Sequence, residues 1–239
     1  LHAGSPIFQL KGVDENKSTS SGAKLLTLHE MVSQKKDLSA AVTAMAIPGV
    51  EDKHHIVGKK LSLQSTYCHS YNEAVYAMTN NLDGARLKNS FEEAGFKTAT
   101  ANPSIAEIRV ALSTERTNAT SASLHHVAYK LIQLAKKDRL LRSIATSAAF
   151  GTPDDQVCSL SAAKDLLRQK QLYLANTGTY DREGTITNKL AIWGWVENGI
   201  TYTVVSRVIR PQGSGICLGS GCISQEKLLP LYRQIMNSI

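Results

Sequence analysis

The chain has 239 residues, a formal net charge of +7 and a pI near 9.2, with 42% hydrophobic and 20% charged residues. That is enough chain for one domain with a substantial core, and the balance is ordinary for a globular protein. No apolar run reaches the ~20 residues of a membrane-spanning helix, and the lysines are dispersed with few aromatics beside them, which argues against a nucleic-acid reader.

Residues 5–10 supply at most one strand, and 11–23, rich in Ser, Lys and Gly, read as a loop. Leu25, Leu28, Met31 and Val32 share one helical face and predict a helix from Ala23 to about Lys35. Buried helical segments are expected over 38–46, ended by Pro48-Gly49, over 61–78, and over 83–94, ended by Gly95. Residues 97–120 lack periodicity and predict an irregular crossing segment. Ser121 or Ser123 caps the next helix, whose apolar face runs Leu124, Val127, Leu131 and Leu134. A Gly/Pro/Asp loop at 151–160 and a short helix at 162–169 follow.

The character then changes. Segments 172–179, 189–196 and 200–209 are rich in Val, Ile, Thr, Tyr and Trp. The last two are joined by Glu197-Asn198-Gly199, a strong hairpin signal. A loop at 211–222 leads to a closing helix at 225–239. Helices in the middle and a β-meander followed by a helix at the end predict an α+β fold, in one domain over 1–239.

Cys217 and Cys222 flank Leu-Gly-Ser-Gly, short enough for a local disulfide, whereas Cys68 and Cys158 read as single cysteines. No Cys-x-x-Cys or His-x-x-x-His spacing accompanies them. The pairs His54-His55 and His125-His126 are sequence neighbours that point in different directions, so no metal site is expected.

Three short patterns carry chemistry. Ser21-Gly22-Ala23-Lys24 opens the first helix, where positions i and i+3 share a face, so hydroxyl and amine can meet. A helix N-terminus favours developing negative charge on the serine oxygen. Ser-x-x-Lys recurs at Ser33, Ser161 and Ser224, so spacing alone does not single out Ser21. Ser70-Tyr71-Asn72 is the only Ser-x-Asn, placed where a helix begins or turns; it reads as a helix cap or as a proton relay with a substrate-holding amide. Asn176-Thr177-Gly178-Thr179 ends the first strand of the meander. It reads as an ordinary strand end, or as a place where glycine admits a ligand and threonines bind a carboxylate.

In order and context these patterns resemble the Ser-x-x-Lys, Ser-x-Asn and Lys-Thr-Gly motifs of the penicillin-binding proteins and serine β-lactamases. The surroundings are similar too: Ser21-Gly-Ala-Lys-Leu-Leu-Thr-Leu, Ser70-Tyr-Asn-Glu-Ala-Val-Tyr with Phe91-Glu-Glu-Ala-Gly-Phe, and Asn176-Thr-Gly-Thr-Tyr-Asp with Asn188-Lys-Leu-Ala-Ile-Trp-Gly-Trp. The likeness spans about residues 15–210 and implies an antiparallel sheet flanked by helices with an all-helical subdomain. It implies a D,D-peptidase-like acyltransferase acting on peptidoglycan D-Ala-D-Ala stems or binding β-lactams, without metal or organic cofactor. Ser21 would be the nucleophile, Lys24 its general base and Ser70 the relay. Asn72, Asn176, Thr177, Gly178 and Thr179 would bind substrate, and the N–H groups of Ser21 and Thr179 would form the oxyanion hole. It further implies a periplasmic or extracytoplasmic bacterial location, with envelope proteins as partners and any membrane anchor in a segment outside this stretch.

Three departures from the pattern matter. Asn176 stands where the family carries lysine, and Arg182 or Lys189 would have to supply the missing charge. Only twenty residues precede Ser21, where two strands are expected, so the N-terminal strands read as reduced. The acidic Glu-x-x-Leu-Asn signature of deacylation is absent; Glu115-Arg116-Thr117-Asn118 has the wrong spacing, which favours a D,D-peptidase over an efficient β-lactamase. Asn176 also leaves open a non-catalytic binding or scaffold member.

Overall fold

The computed structural model describes residues 17–52, 54–114, 116–150, 171–182 and 186–211. Over this range, helices fill the first part of the chain and long strands the last. Helix α1 (Lys24–Ser33) follows directly on a 3-10 turn at Ser20–Ala23. It is succeeded by α2 (Leu63–His69), α3 (Asn72–Asn80), α4 (Gly84–Glu93), α5 (Ile105–Ser113), α6 (Ser121–Ala135), α7 (Arg139–Ala145) and α8 (Ser147–Phe150). Two short antiparallel pairs brace the helices: β1 (Lys17–Ser18) on β4 (Asn118–Ala119), and β2 (Val42–Thr43) on β3 (Lys60–Leu61). The main sheet is an antiparallel meander in the order β5 (Leu172–Arg182), β6 (Ile186–Glu197) and β7 (Ile200–Pro211). This is the expected α+β architecture.

The strands form where β-branched and aromatic residues concentrate, and the hairpin turns where Asn198 and Gly199 both take positive φ, 50° and 76°. Trp195 stacks on its cross-strand partner Tyr202, with centroids 5.2 Å apart. On one face of the sheet, Leu174, Leu190 and Ile192 meet Leu124, Leu131 and Ile132 of α6 and Leu25 and Leu28 of α1 in one continuous core. Arg142 ties α7 to the sheet, lying 4.0 Å over the Tyr173 ring and donating from Nε to the Leu172 carbonyl at 2.8 Å.

Four expectations are corrected. Residues 38–46 are not helical: burial alternates from Val42 to Met45, and Val42–Thr43 pairs with Lys60–Leu61. Small, β-branched side chains of period two suit a pleated ribbon better than a helix. The single helix over 61–78 is broken at Ser70, which has φ 59°. Segment 97–120 contains α5, announced by a reciprocal capping box between Ser104 and Glu107. The cap of α6 is Thr120, whose hydroxyl accepts from the Ser123 amide, rather than Ser121 or Ser123. The predicted strand at 5–10, the loop and helix at 151–169, and, past Pro211, the loop with its Cys217–Cys222 pair and the closing helix at 225–239 lie outside the described residues.

Glu30 is a buried carboxylate on α1. Its oxygens accept from Ser90 Oγ at 2.8 Å and Gln34 Nε2 at 3.1 Å and lie 3.2 Å from His29 Nδ1. Burial pushes its acidity down, but these hydrogen bonds outweigh burial and hold the group below its ordinary value of 4.5. A lowered folded-state value means that its stabilisation is present above the unfolded-state value and is lost as pH falls through the folded one. Glu30→Gln is expected to lower stability at pH 7 by about 1–3 kcal/mol and to show a smaller further loss on acidification to about pH 3. Urea unfolding at both pH values checks this; identical acid losses in the two proteins would contradict it.

Candidate active site

Ser21 and Lys24 occupy the 3-10 turn and the first position of α1, so the i, i+3 spacing places Lys24 Nζ 3.1 Å from Ser21 Oγ. Both are almost fully buried, at 2% and 1% exposure. The preceding backbone is held from outside. Thr19 donates its amide to the Thr117 carbonyl at 2.9 Å, and its hydroxyl pairs with that of Thr117. Ser20 then takes φ 46°, a left-handed conformation of a non-glycine residue, which turns the chain into the helix at Ser21.

Ser70 closes α2 in the left-handed region, φ 59° and ψ 40°, and α3 starts at Asn72 after the extended Tyr71. This reversal has a chemical result. A serine continuing a helix would direct its carbonyl along the helix axis; here the carbonyl and hydroxyl of Ser70 both face Lys24. Lys24 Nζ lies 2.6 Å from Ser70 O, 2.7 Å from Ser70 Oγ and 2.6 Å from Asn72 Oδ1. Ser70 Oγ donates to Ser21 Oγ at 2.7 Å across 49 residues of sequence. A buried amine is tolerable only with acceptors around it, and this turn supplies three.

Strand β5 approaches from the other side. A Cβ on Gly178 would stand 2.5 Å from Ser21 N and 2.6 Å from Ser20 Cβ, so only glycine allows this contact. The peptide after Gly178 leads to Thr179, whose backbone pairs with Lys189. By strand alternation Asn176 shares the Gly178 face; it is 1% exposed, and its Oδ1 has no hydrogen-bond partner among the described residues. Thr177 is buried beside it. Among the described strands β5 is an edge, with β6 on one side only.

Solved structures share this fold. The chain matches the class D β-lactamase OXA-427 with a TM-score of 0.65 at 13% identity, covering 99% of this chain and 96% of that one. It matches the transpeptidase domain of the D,D-transpeptidase FtsI4 from Legionella pneumophila with a TM-score of 0.61 at 13% identity, covering 98% and 80%. The transpeptidase domain of Burkholderia pseudomallei penicillin-binding protein 3 gives 0.64 at 12%, covering 95% and 80%. The fold is that of the penicillin-binding transpeptidases and serine β-lactamases. No protein-family model and no curated protein sequence matches the chain.

On this transpeptidase fold the structure brings Ser21, Lys24, Ser70 and Asn72 into one hydrogen-bonded group and sets Gly178 against it. Asn176 and Thr177 lie on the same strand. The side chains of Thr179, Arg182 and Lys189 fall outside the described set. Two residues near the group escape sequence reasoning. Ser20 carries no signal for its left-handed backbone. Tyr67 donates from its hydroxyl to the Lys24 carbonyl at 2.9 Å, and its place one helical turn before Ser70 was the available hint. Cys68, read as a single cysteine, is disulfide-bonded. Its partner lies outside the described residues.

The close approach at Gly178 makes a direct prediction. Gly178→Ala presses a methyl group onto backbone that cannot yield like a side chain, and is expected to destabilise the protein by about 1–3 kcal/mol. Thermal unfolding should show a Tm fall of about 2–4 °C per kcal/mol. An unchanged Tm would mean that β5 does not rest on the Ser20–Ser21 backbone.

Proposed function

We propose that this chain is a penicillin-recognising serine acyltransferase, one domain over residues 1–239, that forms an acyl-enzyme at Ser21 on D-Ala-D-Ala stem peptides of peptidoglycan, as a D,D-transpeptidase or carboxypeptidase. The observation that carries it is the hydrogen-bonded chain from Ser21 Oγ to Ser70 Oγ to Lys24 Nζ, with both links at 2.7 Å. Short stretches of hydroxyl and amine are common in sequence, but this buried convergence of three elements has the parts that acyl transfer needs.

In this reading Lys24, as the free base, takes the Ser21 proton, directly across 3.1 Å or through Ser70 across two shorter links. Ser21 Oγ attacks the penultimate D-Ala carbonyl, and the amine of the terminal D-Ala leaves with a proton returned through Ser70. The Ser21 and Thr179 amides stabilise the tetrahedral oxyanion; the Gly178 contact supports this, because it sets the following peptide beside the Ser21 amide. Asn72 orients the stem, and Asn176, Thr177 and Thr179 receive its terminal carboxylate end. Water or an acceptor amine then resolves the ester. An extracytoplasmic location accords with the disulfide at Cys68, since such bonds persist in oxidising compartments. No helix among the described residues is long and apolar enough to cross a membrane.

Asn176 supports a second reading, a binding or scaffold module of the envelope, or a β-lactam-binding relative of low turnover. An uncharged buried amide cannot supply the carboxylate-binding charge of a lysine, a difference of about 1.5–3 kcal/mol for a charged hydrogen bond.

A fluorescent penicillin is expected to label Ser21, located by intact mass and peptide mapping. Ser21→Ala should abolish labelling, and Lys24→Met should slow it by about 10²–10⁴-fold. No adduct on folded protein at high reagent excess, or an adduct elsewhere, refutes the enzyme reading. Asn176→Lys is expected to raise the acylation rate by about tenfold or more; no gain in a folded variant favours the scaffold reading.

A further inference from the structure

Lys24 and Ser70 belong to different helices, 46 residues apart in sequence, yet lie 2.7 Å apart. Such a contact needs α2 to be held at a fixed height over α1. The N-terminal anchors of α2 do not touch α1: the Ser62 hydroxyl caps Ser65, and Gln64 Nε2 donates to Ser143 Oγ. The link to α1 is Tyr67, whose hydroxyl donates to the Lys24 backbone carbonyl at 2.9 Å. Tyr67 is 4% exposed, and burial pushes its hydroxyl well above the ordinary phenol range, so it remains a donor.

One turn of α2 thus grips both ends of a single residue. Tyr67 holds the main-chain carbonyl of Lys24, and three residues on, Ser70 O and Oγ accept from its amine. Between them Cys68 is fully buried, and His69 stacks on the Tyr71 ring at 5.2 Å. A shift of α2 would therefore pass to the Ser70 hydroxyl rather than be absorbed on the way.

We propose that Tyr67 is a positioning residue for the reaction at Ser21, its hydroxyl setting the distance at which Ser70 meets Lys24. The kinetic consequence rests on the acyl-transfer reading; the geometric one does not. Tyr67→Phe removes one oxygen, and Tyr67→Met is a second variant without a donor. Stopped-flow labelling with a fluorescent penicillin separates the non-covalent dissociation constant from the acylation rate constant. The rate constant should fall about 10- to 100-fold in both variants, with the dissociation constant changed less than about twofold. In a Ser70→Ala background the same substitutions should slow acylation less than about twofold, because the group they position is gone. Equal slowing in both backgrounds, or an unaltered rate constant, overturns the proposal. A crystal structure of Tyr67→Phe gives a reading independent of activity: Lys24 Nζ and Ser70 Oγ should separate beyond about 3.5 Å, and retention of the original contact overturns the proposal. Should the wild-type protein take no penicillin, the acyl-transfer reading fails, while the crystallographic distance still decides the role of Tyr67.

Discussion

A buried amine governs this structure. Lys24 is 1% exposed, and an amine taken out of water needs acceptors to replace its lost hydration. The chain supplies them from three places: the hydroxyl of Ser21 on its own turn, the carbonyl and hydroxyl of Ser70 at the end of α2, and the amide oxygen of Asn72 at the start of α3. That requirement explains why a run of residues able to continue as one helix is instead broken at Ser70. The break costs about 1–3 kcal/mol for a left-handed serine, and the three acceptors it places on Lys24 offset that cost.

The same requirement orders the surrounding framework. The β1–β4 pair and the Thr19–Thr117 contacts fix the chain just before Ser21, while Gly178 lets β5 rest on the backbone at Ser20–Ser21. Ser21, Lys24 and the edge strand are therefore placed by helix ends and paired strands, which suits a site that must hold atoms to fractions of an ångström. Behind them a single apolar core joins α1 and α6 to the sheet. Identity of 12–13% with the matched structures is compatible with that frame, because burial pattern and backbone contacts can persist while most side chains change. The chemistry is a separate matter. Asn176 is the place where this chain departs in charge from the motif it otherwise resembles.

Much of the fold was legible. The face formed by Leu25, Leu28 and Met31 gave α1, the stop at Gly95 gave the end of α4, and Asn198-Gly199 gave the hairpin, because each is a local preference that tertiary packing agrees with. Residues 38–46 were not: Ala, Val, Leu and Met suit a helix or a ribbon, and the choice was made by pairing with Lys60–Leu61. α5 does not stand out despite its Ser104–Glu107 box, since its apolar residues, Ile105, Ala106, Ile108, Val110, Ala111 and Leu112, spread around the axis instead of forming a stripe.

For the candidate site, the resemblance in motif order and context singled out Ser21 among four Ser-x-x-Lys patterns and paired it with Ser70 and Asn72. The sequence determined which groups are available: a hydroxyl and an amine one helical turn apart, a second hydroxyl, an amide and a glycine-bearing strand. Only the tertiary structure decided that they share one buried cluster, that Ser70 turns left-handed to reach Lys24, and that the Tyr67 hydroxyl meets the Lys24 carbonyl. The reason is physical. Spacing within a helix is set by backbone geometry and can be read from one segment, whereas a contact across 46 residues depends on how separate helices pack, and no single segment encodes that.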